Sequence, residues 1–134
     1  MKNFWLTLVF VSLCAFAKAQ DNIPTDTVAP IEFKLGVGEY QSVNDVEITF
    51  LKVIEDSRCP KDVDCVWAGQ AKIKVLINEK GKEAFEKEII ISGSGIAAIL
   101  YKSDAFVIKA VRLSPYPKTS TPINSRVYFL EVQV

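Results

Sequence analysis

The sequence contains no histidine, and its only methionine is the initiator. Without histidine, the chain cannot form serine–histidine triads, cysteine–histidine pairs or histidine-bound zinc and copper sites. A serine activated by lysine is possible in principle, but no lysine stands at the spacing of a known dyad from Ser92, Ser94 or Ser114. The glycine-rich run that holds the first two serines is typical of a flexible turn, and it lacks the lysine of a phosphate-binding loop.

The sequence also lacks an apolar run long enough to cross a bilayer, which takes about 20 residues. Its longest such run, from Phe4 to Ala17, follows Lys2 and precedes the small residue Ala19. This order is typical of a secretory signal peptide, so we predict export to the periplasm or the extracellular space, with no membrane span. The predicted parts are a signal peptide (1–19), a flexible leader (20–30) and a single β domain (31–134).

Cysteine is scarce, with three in the chain. Cys14 falls in the predicted signal, where Leu13 replaces the small residue expected before a lipidated cysteine, so we expect no lipid anchor. Removal of the signal leaves Cys59 and Cys65, and such a pair in an exported protein predicts a disulfide. In the chain-entropy model a bridge over so short a loop stabilises the fold by only about 2 kcal/mol. Two thiolates alone would leave a tetrahedral metal site half empty, so metal binding by the pair is disfavoured.

Neither sign of charge is in large excess. Loss of Lys2 and Lys18 with the signal lowers the count of basic side chains from 16 to 14, against 16 acidic ones, so the exported chain carries a net charge of about −2. No run of lysine or arginine marks a face for phosphate backbones, and we therefore expect no nucleic-acid partner. The remaining length fits one domain that buries about two-thirds of its unfolded surface.

Apolar residues recur with a period of two along most of the exported chain, which predicts β-strands. In one of them Val46, Ile48 and Phe50 are expected on one face, with Leu51 and Val53 on the other. Residues 96–101 fit either a short helix or a strand. The other expected strands are Ile31–Leu35, Tyr40–Val43, Val46–Ile54, Ala71–Ile77, Glu83–Ile91, Phe106–Leu113 and Arg126–Val134. Six to eight short strands predict an all-β domain, either an antiparallel sandwich or a small barrel.

The unusual residues of the chain cluster in one stretch from Glu55 to Gly69, here called the cysteine loop. Its tryptophan, Trp67, has two interpretations. The ring could cover the disulfide and close one end of the core, or it could lie on the surface with Tyr116 as a recognition patch. We take six residues as a candidate interaction site: Asp56, Arg58, Asp62, Asp64, Trp67 and Tyr116.

The carboxylates of this loop allow two other interpretations. Asp56, Asp62 and Asp64 carry the oxygen ligands that calcium prefers, but they lack the regular spacing around a glycine of a calcium loop. They could also act as acid and base, although nothing in the sequence indicates a substrate cleft beside them. Arg58 is expected to pair with one of the loop carboxylates. We predict no cofactor and no catalytic residue, and we keep calcium as a weak alternative.

The run from Glu55 to Pro60, the run from Cys65 to Gly69 and the later run from Leu113 to Pro117 resemble a family of small exported bacterial proteins. The resemblance implies an exported all-β domain of unknown activity and assigns no catalytic residue. From the closed cysteine loop with Trp67 and Tyr116 we predict a non-catalytic binding domain, with another envelope or extracellular protein as the expected kind of partner. The alternatives are a small hydrolase that uses carboxylates or a lysine, and a purely structural envelope protein.

Overall fold

The computed structural model of the protein describes residues 29–134. The predicted signal peptide, and the predicted leader as far as residue 28, lie outside the described residues. The described part is all-β and forms no helix that could cross a membrane. Its eight strands are β1 Glu32–Gly36, β2 Tyr40–Val43, β3 Val46–Asp56, β4 Gln70–Glu79, β5 Phe85–Ser92, β6 Ala98–Lys102, β7 Val107–Ser114 and β8 Phe129–Gln133.

The strands form two antiparallel sheets, β1-β8-β7-β6 and β2-β3-β4-β5. The two sheets pack as a sandwich and do not close into a barrel, which confirms the first of the two predicted architectures. Residues 96–101, which fitted either a helix or a strand, contribute to β6. Hydrogen-bonded neighbours are consecutive in the chain except for the pair β1 and β8.

The core lies between the inner faces of the two sheets. In β4 every second side chain from Ala71 to Ile77 is buried, while Lys72 and Lys74 point outward, so this strand follows the predicted period of two. Leu113 and Leu130 of the other sheet are also fully buried. The inner faces of the two sheets thus supply the apolar core, as in other sandwiches.

Strand β3 departs from the predicted alternation. Its pairing with β4 shifts between Phe50 and Lys52 and again between Val53 and Glu55, as at β-bulges. Val53 lies opposite the buried Ile73 and packs against the core, so its expected position on the face opposite Phe50 was wrong. The second shift places Asp56 on the core side at the end of the strand.

Three connections meet at the end of the sandwich where β3 stops. They are the cysteine loop, residues 93–97 between β5 and β6, and residues 115–128 between β7 and β8. Gly93 N donates to Gly69 O at 2.9 Å, and Lys61 N donates to Pro117 O at 3.1 Å. Gly69 has a φ of +71°, and a Cβ there would lie 2.1 Å from Ser57 O, so only glycine fits. These contacts fix the loops against one another.

Candidate functional site

The cysteine loop is closed by the predicted disulfide. Cys59 and Cys65 are bonded, with their Cα atoms 5.9 Å apart. Cys59 is half-buried, whereas Cys65 is exposed. The bridge therefore joins the base of the loop, which packs against the sandwich, to its outermost part.

Arg58 is buried at the base of this loop, with 4% of its surface exposed. Its Nε donates to Asp56 Oδ1 at 2.8 Å and its Nη2 donates to Oδ2 of the same carboxylate at 2.6 Å. This is a two-bonded arginine–carboxylate pair, and only 8% of the Asp56 side chain is exposed. The expected pairing of Arg58 with a loop carboxylate is confirmed.

The same guanidinium reaches the opposite sheet. Nη1 donates to Leu113 O at 2.6 Å, and Nη2 also donates to Pro115 O at 3.1 Å. The centre of the guanidinium lies 4.6 Å from the ring centroid of Tyr116, within the range of a cation–π contact. Arg58 therefore links the end of β3 to the end of β7, and both sheets hold the loop base in place.

Tyr128 completes this buried group. Its hydroxyl donates to Asp56 Oδ2 at 2.9 Å, so the carboxylate is bonded by two side chains. Burial, followed by the hydrogen bond to Asp56 and its negative charge, raises the pKa of Tyr128 to about 12. Burial acts to raise the pKa of Asp56, but the hydrogen bonds and charge of Arg58 together with the Tyr128 hydroxyl hold it below its usual value. Asp56 therefore stays ionised at neutral pH.

The outermost part of the loop is apolar and exposed. Val66 is fully exposed, Val63 has 45% of its surface in solvent, and Trp67 has 64%. The interpretation in which Trp67 closes the end of the core was wrong. The buried Arg58 guanidinium, covered by the ring of Tyr116, already occupies that end of the sandwich.

The remaining loop carboxylates point elsewhere. Asp62 accepts hydrogen bonds from the backbone N–H of Thr119 at 3.0 Å and from the Thr119 hydroxyl, and these bonds lower the pKa of Asp62. Asp64 is exposed. Among residues 29–134, no three histidine, cysteine or acidic side chains are grouped so that they could hold a metal ion. The three carboxylates considered for calcium, Asp56, Asp62 and Asp64, do not converge.

Of the six candidate residues, the structure brings Asp56, Arg58 and Tyr116 into one cluster and leaves Asp62, Asp64 and Trp67 on the loop surface. Sequence reasoning missed the role of Tyr128. The alternation of the last strand placed its side chain toward the core, and a buried tyrosine hydroxyl usually needs a polar partner. A tyrosine expected in the core could therefore have indicated that a polar or ionised group lies beside its hydroxyl.

The cavity that touches Arg58 is small, about 170 Å³, and no carboxylate lines it. Cavities that hold small-molecule ligands usually measure about 300–1,000 Å³. The arrangement therefore fits a structural role for Arg58 better than a role in holding a substrate.

The chain matches no protein-family model, no curated protein and no solved structure. Its resemblance to small exported bacterial proteins stays a prediction.

Proposed function

We propose that the protein is an exported, non-catalytic binding domain and that the outer part of the cysteine loop is its contact surface. The observation that carries this proposal is the exposure of Val66 and Trp67 on a loop whose base is fixed in the core. Export agrees with the disulfide, because such bonds persist mainly in oxidising compartments.

Preorganisation supports this function. A loop that is ordered before it meets its partner loses little conformational entropy on binding, and rigid aromatic side chains are common anchors at interfaces. Here the loop is tied to both sheets through Arg58 and to the β7–β8 connection through Asp62 and Thr119. An exposed tryptophan on such a support is an efficient contact residue.

The hydrolase alternative has less support. A general acid needs a pKa near the working pH, yet the pKa values of Asp56 and Asp62 are both lowered. Asp56 is also shielded from solvent by Arg58 and Tyr128. Asp56 and Asp62 therefore act as hydrogen-bond acceptors within the structure.

A photo-crosslinking residue placed at Val66 in living cells tests the proposal. We expect covalent adducts on irradiation, because this side chain faces the partner. The same residue placed at Phe85, which is 50% exposed on β5 and far from the loop, serves as the matched control and should yield few adducts. Equal yields at both positions, or none at Val66, would contradict a contact role for the loop.

A further inference from the structure

The sheets end in edge strands on two sides of the sandwich, β1 and β2 on one side and β5 and β6 on the other. On the first side the connection from β1 to β2 bonds to β3, since Gly38 N donates to Phe50 O at 2.6 Å and Phe50 N donates to Glu39 O at 3.0 Å. On the second side β5 and β6 form no ladder with each other in the described structure. Free strand edges of this kind can pair with a strand of another chain.

A lysine spans the gap between β5 and β6. Lys87 lies on β5 opposite the fully buried Val75 and on the same face as the buried Ile89, so its side chain begins on the inner face of the sheet. Its Nζ donates to Leu100 O at 3.2 Å and to Ile99 O at 3.5 Å, both on β6. An inward-pointing charge on an edge strand is one of the features by which natural sheets avoid pairing with other chains.

The two carbonyls that Lys87 binds lie at a β-bulge in β6. The pairing of β6 with β7 shifts between Ile99 and Tyr101, so Leu100 is left unpaired in the described ladder. In a regular strand the carbonyls of successive residues point to opposite sides, whereas here two successive carbonyls face one nitrogen. The ammonium has donors and no acceptor, so it occupies acceptors that the N–H groups of an added strand would need.

A second copy of the chain is the partner that such edges fit most directly. Two copies related by a two-fold axis bring the same strand of each copy together, so one free edge supplies both halves of the contact. Ile90 on β5 and Ile99 on β6, which are 52% and 50% exposed, would be partly covered by this pairing. With Lys87 in place, the pairing would either bury its ammonium or break its bonds to both carbonyls, and each of these changes costs free energy.

We propose that Lys87 prevents the chain from pairing edge to edge with a second copy through β5 and β6. The ammonium holds the two edges together and takes up acceptors at the edge of β6. This surface lies on the side of the sandwich, away from the outer part of the cysteine loop, so the inference does not depend on the proposed binding function.

Replacement of Lys87 by methionine tests this role, because methionine is unbranched and apolar like the stem of lysine but carries no charge. The buried core residues lie between Leu35 and Val132, so the chain without residues 1–19 keeps the whole core and is used here. The parent should sediment as a monomer, whereas Lys87→Met should approach about twice that mass or more as its concentration rises. Lys109→Met removes an exposed lysine from β7, which is paired on both sides, and this matched control should stay monomeric.

Two further variants separate edge pairing from a general loss of the fold. Lys87→Arg keeps a charged donor at the same position and should stay monomeric. Ile99→Lys, added to Lys87→Met, places a new charge on the same edge strand and should restore the monomer. Misfolding of Lys87→Met would not be corrected by a second substitution on the surface, and circular dichroism checks that each variant keeps its sheets.

Several results would overturn the inference. It is wrong if Lys87→Met stays monomeric at every concentration at which the parent does, if the parent itself associates, or if Ile99→Lys leaves the association of Lys87→Met unchanged. If Lys87→Met does not fold, Lys87→Gln takes its place with the same expected association. Failure of both variants to fold would show that the fold itself requires Lys87, which also contradicts the proposed role.

Discussion

The base and the tip of the cysteine loop lie only a few residues apart, yet they are held in different ways. At the base, Arg58 is buried with six polar or aromatic contacts to Asp56, Leu113, Pro115 and Tyr116. At the tip, between residues 63 and 67, the described structure contains a single backbone hydrogen bond, from Val63 N to Pro60 O, and the disulfide. The base is fixed by many non-covalent contacts, and the tip by one covalent bond.

This difference separates two tasks that often compete in one site. The polar groups that position the loop are satisfied among themselves, since no buried side-chain nitrogen or oxygen in the described part lacks a partner. The tip is left with apolar side chains that make few contacts of their own. A surface of this kind can bind a partner without breaking the contacts that hold it in place.

Replacement of Arg58 tests the base most strongly. Arg58→Ala leaves the shielded Asp56 carboxylate without its cation, so we expect the free energy of unfolding to fall by about 3–5 kcal/mol. Urea denaturation followed by Trp67 fluorescence and by circular dichroism measures this loss. Lys61→Ala removes an exposed cation from the same loop and is the matched control, with an expected change within about 0.5 kcal/mol. Similar losses in the two variants would mean that the buried pair does not hold the base.

Removal of the disulfide tests the tip. The double variant Cys59→Ser with Cys65→Ser should lower the free energy of unfolding by about 2 kcal/mol, because the bridge closes a short loop. Hydrogen exchange gives the sharper result. The amide of Val63, bonded to Pro60 O, should exchange faster, whereas Ser57 N and Cys59 N, bonded to Gln70 O and Ala68 O, should keep their protection. Equal loss of protection at both places would show that the base depends on the bridge.

Tyr128 provides a smaller perturbation of the base. Tyr128→Phe removes one hydrogen bond to an ionised carboxylate that keeps both bonds from Arg58, so we expect a loss of about 1.5 kcal/mol. The folded pKa of about 12 lies above the unfolded value of 10.0, so the stability from this group is complete below pH 10.0 and is lost as pH rises toward 12. Ultraviolet absorbance of the tyrosinate should show one tyrosine that ionises near pH 12, and Tyr128→Phe should abolish that step.

Asp56 predicts the opposite dependence on the acid side. Its folded pKa lies below the unfolded value of 3.8, so the stability from this carboxylate is complete above that value and is lost as pH falls through the folded pKa. The free energy of unfolding of the parent should therefore decrease as the pH falls below about 4. In Asp56→Asn the free energy of unfolding should decrease less steeply over the same range of acidic pH. If Asp56→Asn loses stability at acidic pH as steeply as the parent, the loss would have to come from other carboxylates.

The all-β fold could be predicted from the sequence because one face of most strands is buried, and burial imposes a period of two on apolar residues. The choice between a sandwich and a barrel stayed open. Residues 96–101 stayed undecided because six residues are too few to separate the period of a helix from that of a strand. The faces of β3 could not be predicted throughout, since the bulges after Phe50 and Val53 arise from pairing with β4. The sequence of one strand does not show at which residue a β-bulge will interrupt its pairing with the neighbouring strand.

At the candidate site, the sequence predicted only contacts between residues that are close together in the chain. The disulfide and the pairing of Arg58 with a loop carboxylate join residues that are near neighbours in the chain, and both were predicted. The burial of Arg58 depends on Leu113, 55 positions later, and on Tyr128, which lies 72 positions after Asp56. Because these partners are supplied by the fold, the sequence alone also allowed Trp67 at the position that Arg58 and Tyr116 fill.

The smallest expected effect concerns the hydrogen bonds that Asp62, next to the tip of the cysteine loop, accepts from Thr119 in the connection between β7 and β8. Asp62 accepts two hydrogen bonds from Thr119 at an exposed position, where solvent competes for the same groups. Asp62→Ala should therefore lower the melting temperature less than Arg58→Ala, removal of the disulfide or Tyr128→Phe does, with Asp64→Ala, a similarly exposed carboxylate, as the control. Acrylamide quenching of Trp67 should increase slightly, because the loop then loses one of its links to residues 115–128, while the bond from Lys61 N to Pro117 O and the contacts of Arg58 remain. A loss of stability as large as that of Arg58→Ala would instead place Asp62 among the residues that hold the base, and the division between base and tip would fail.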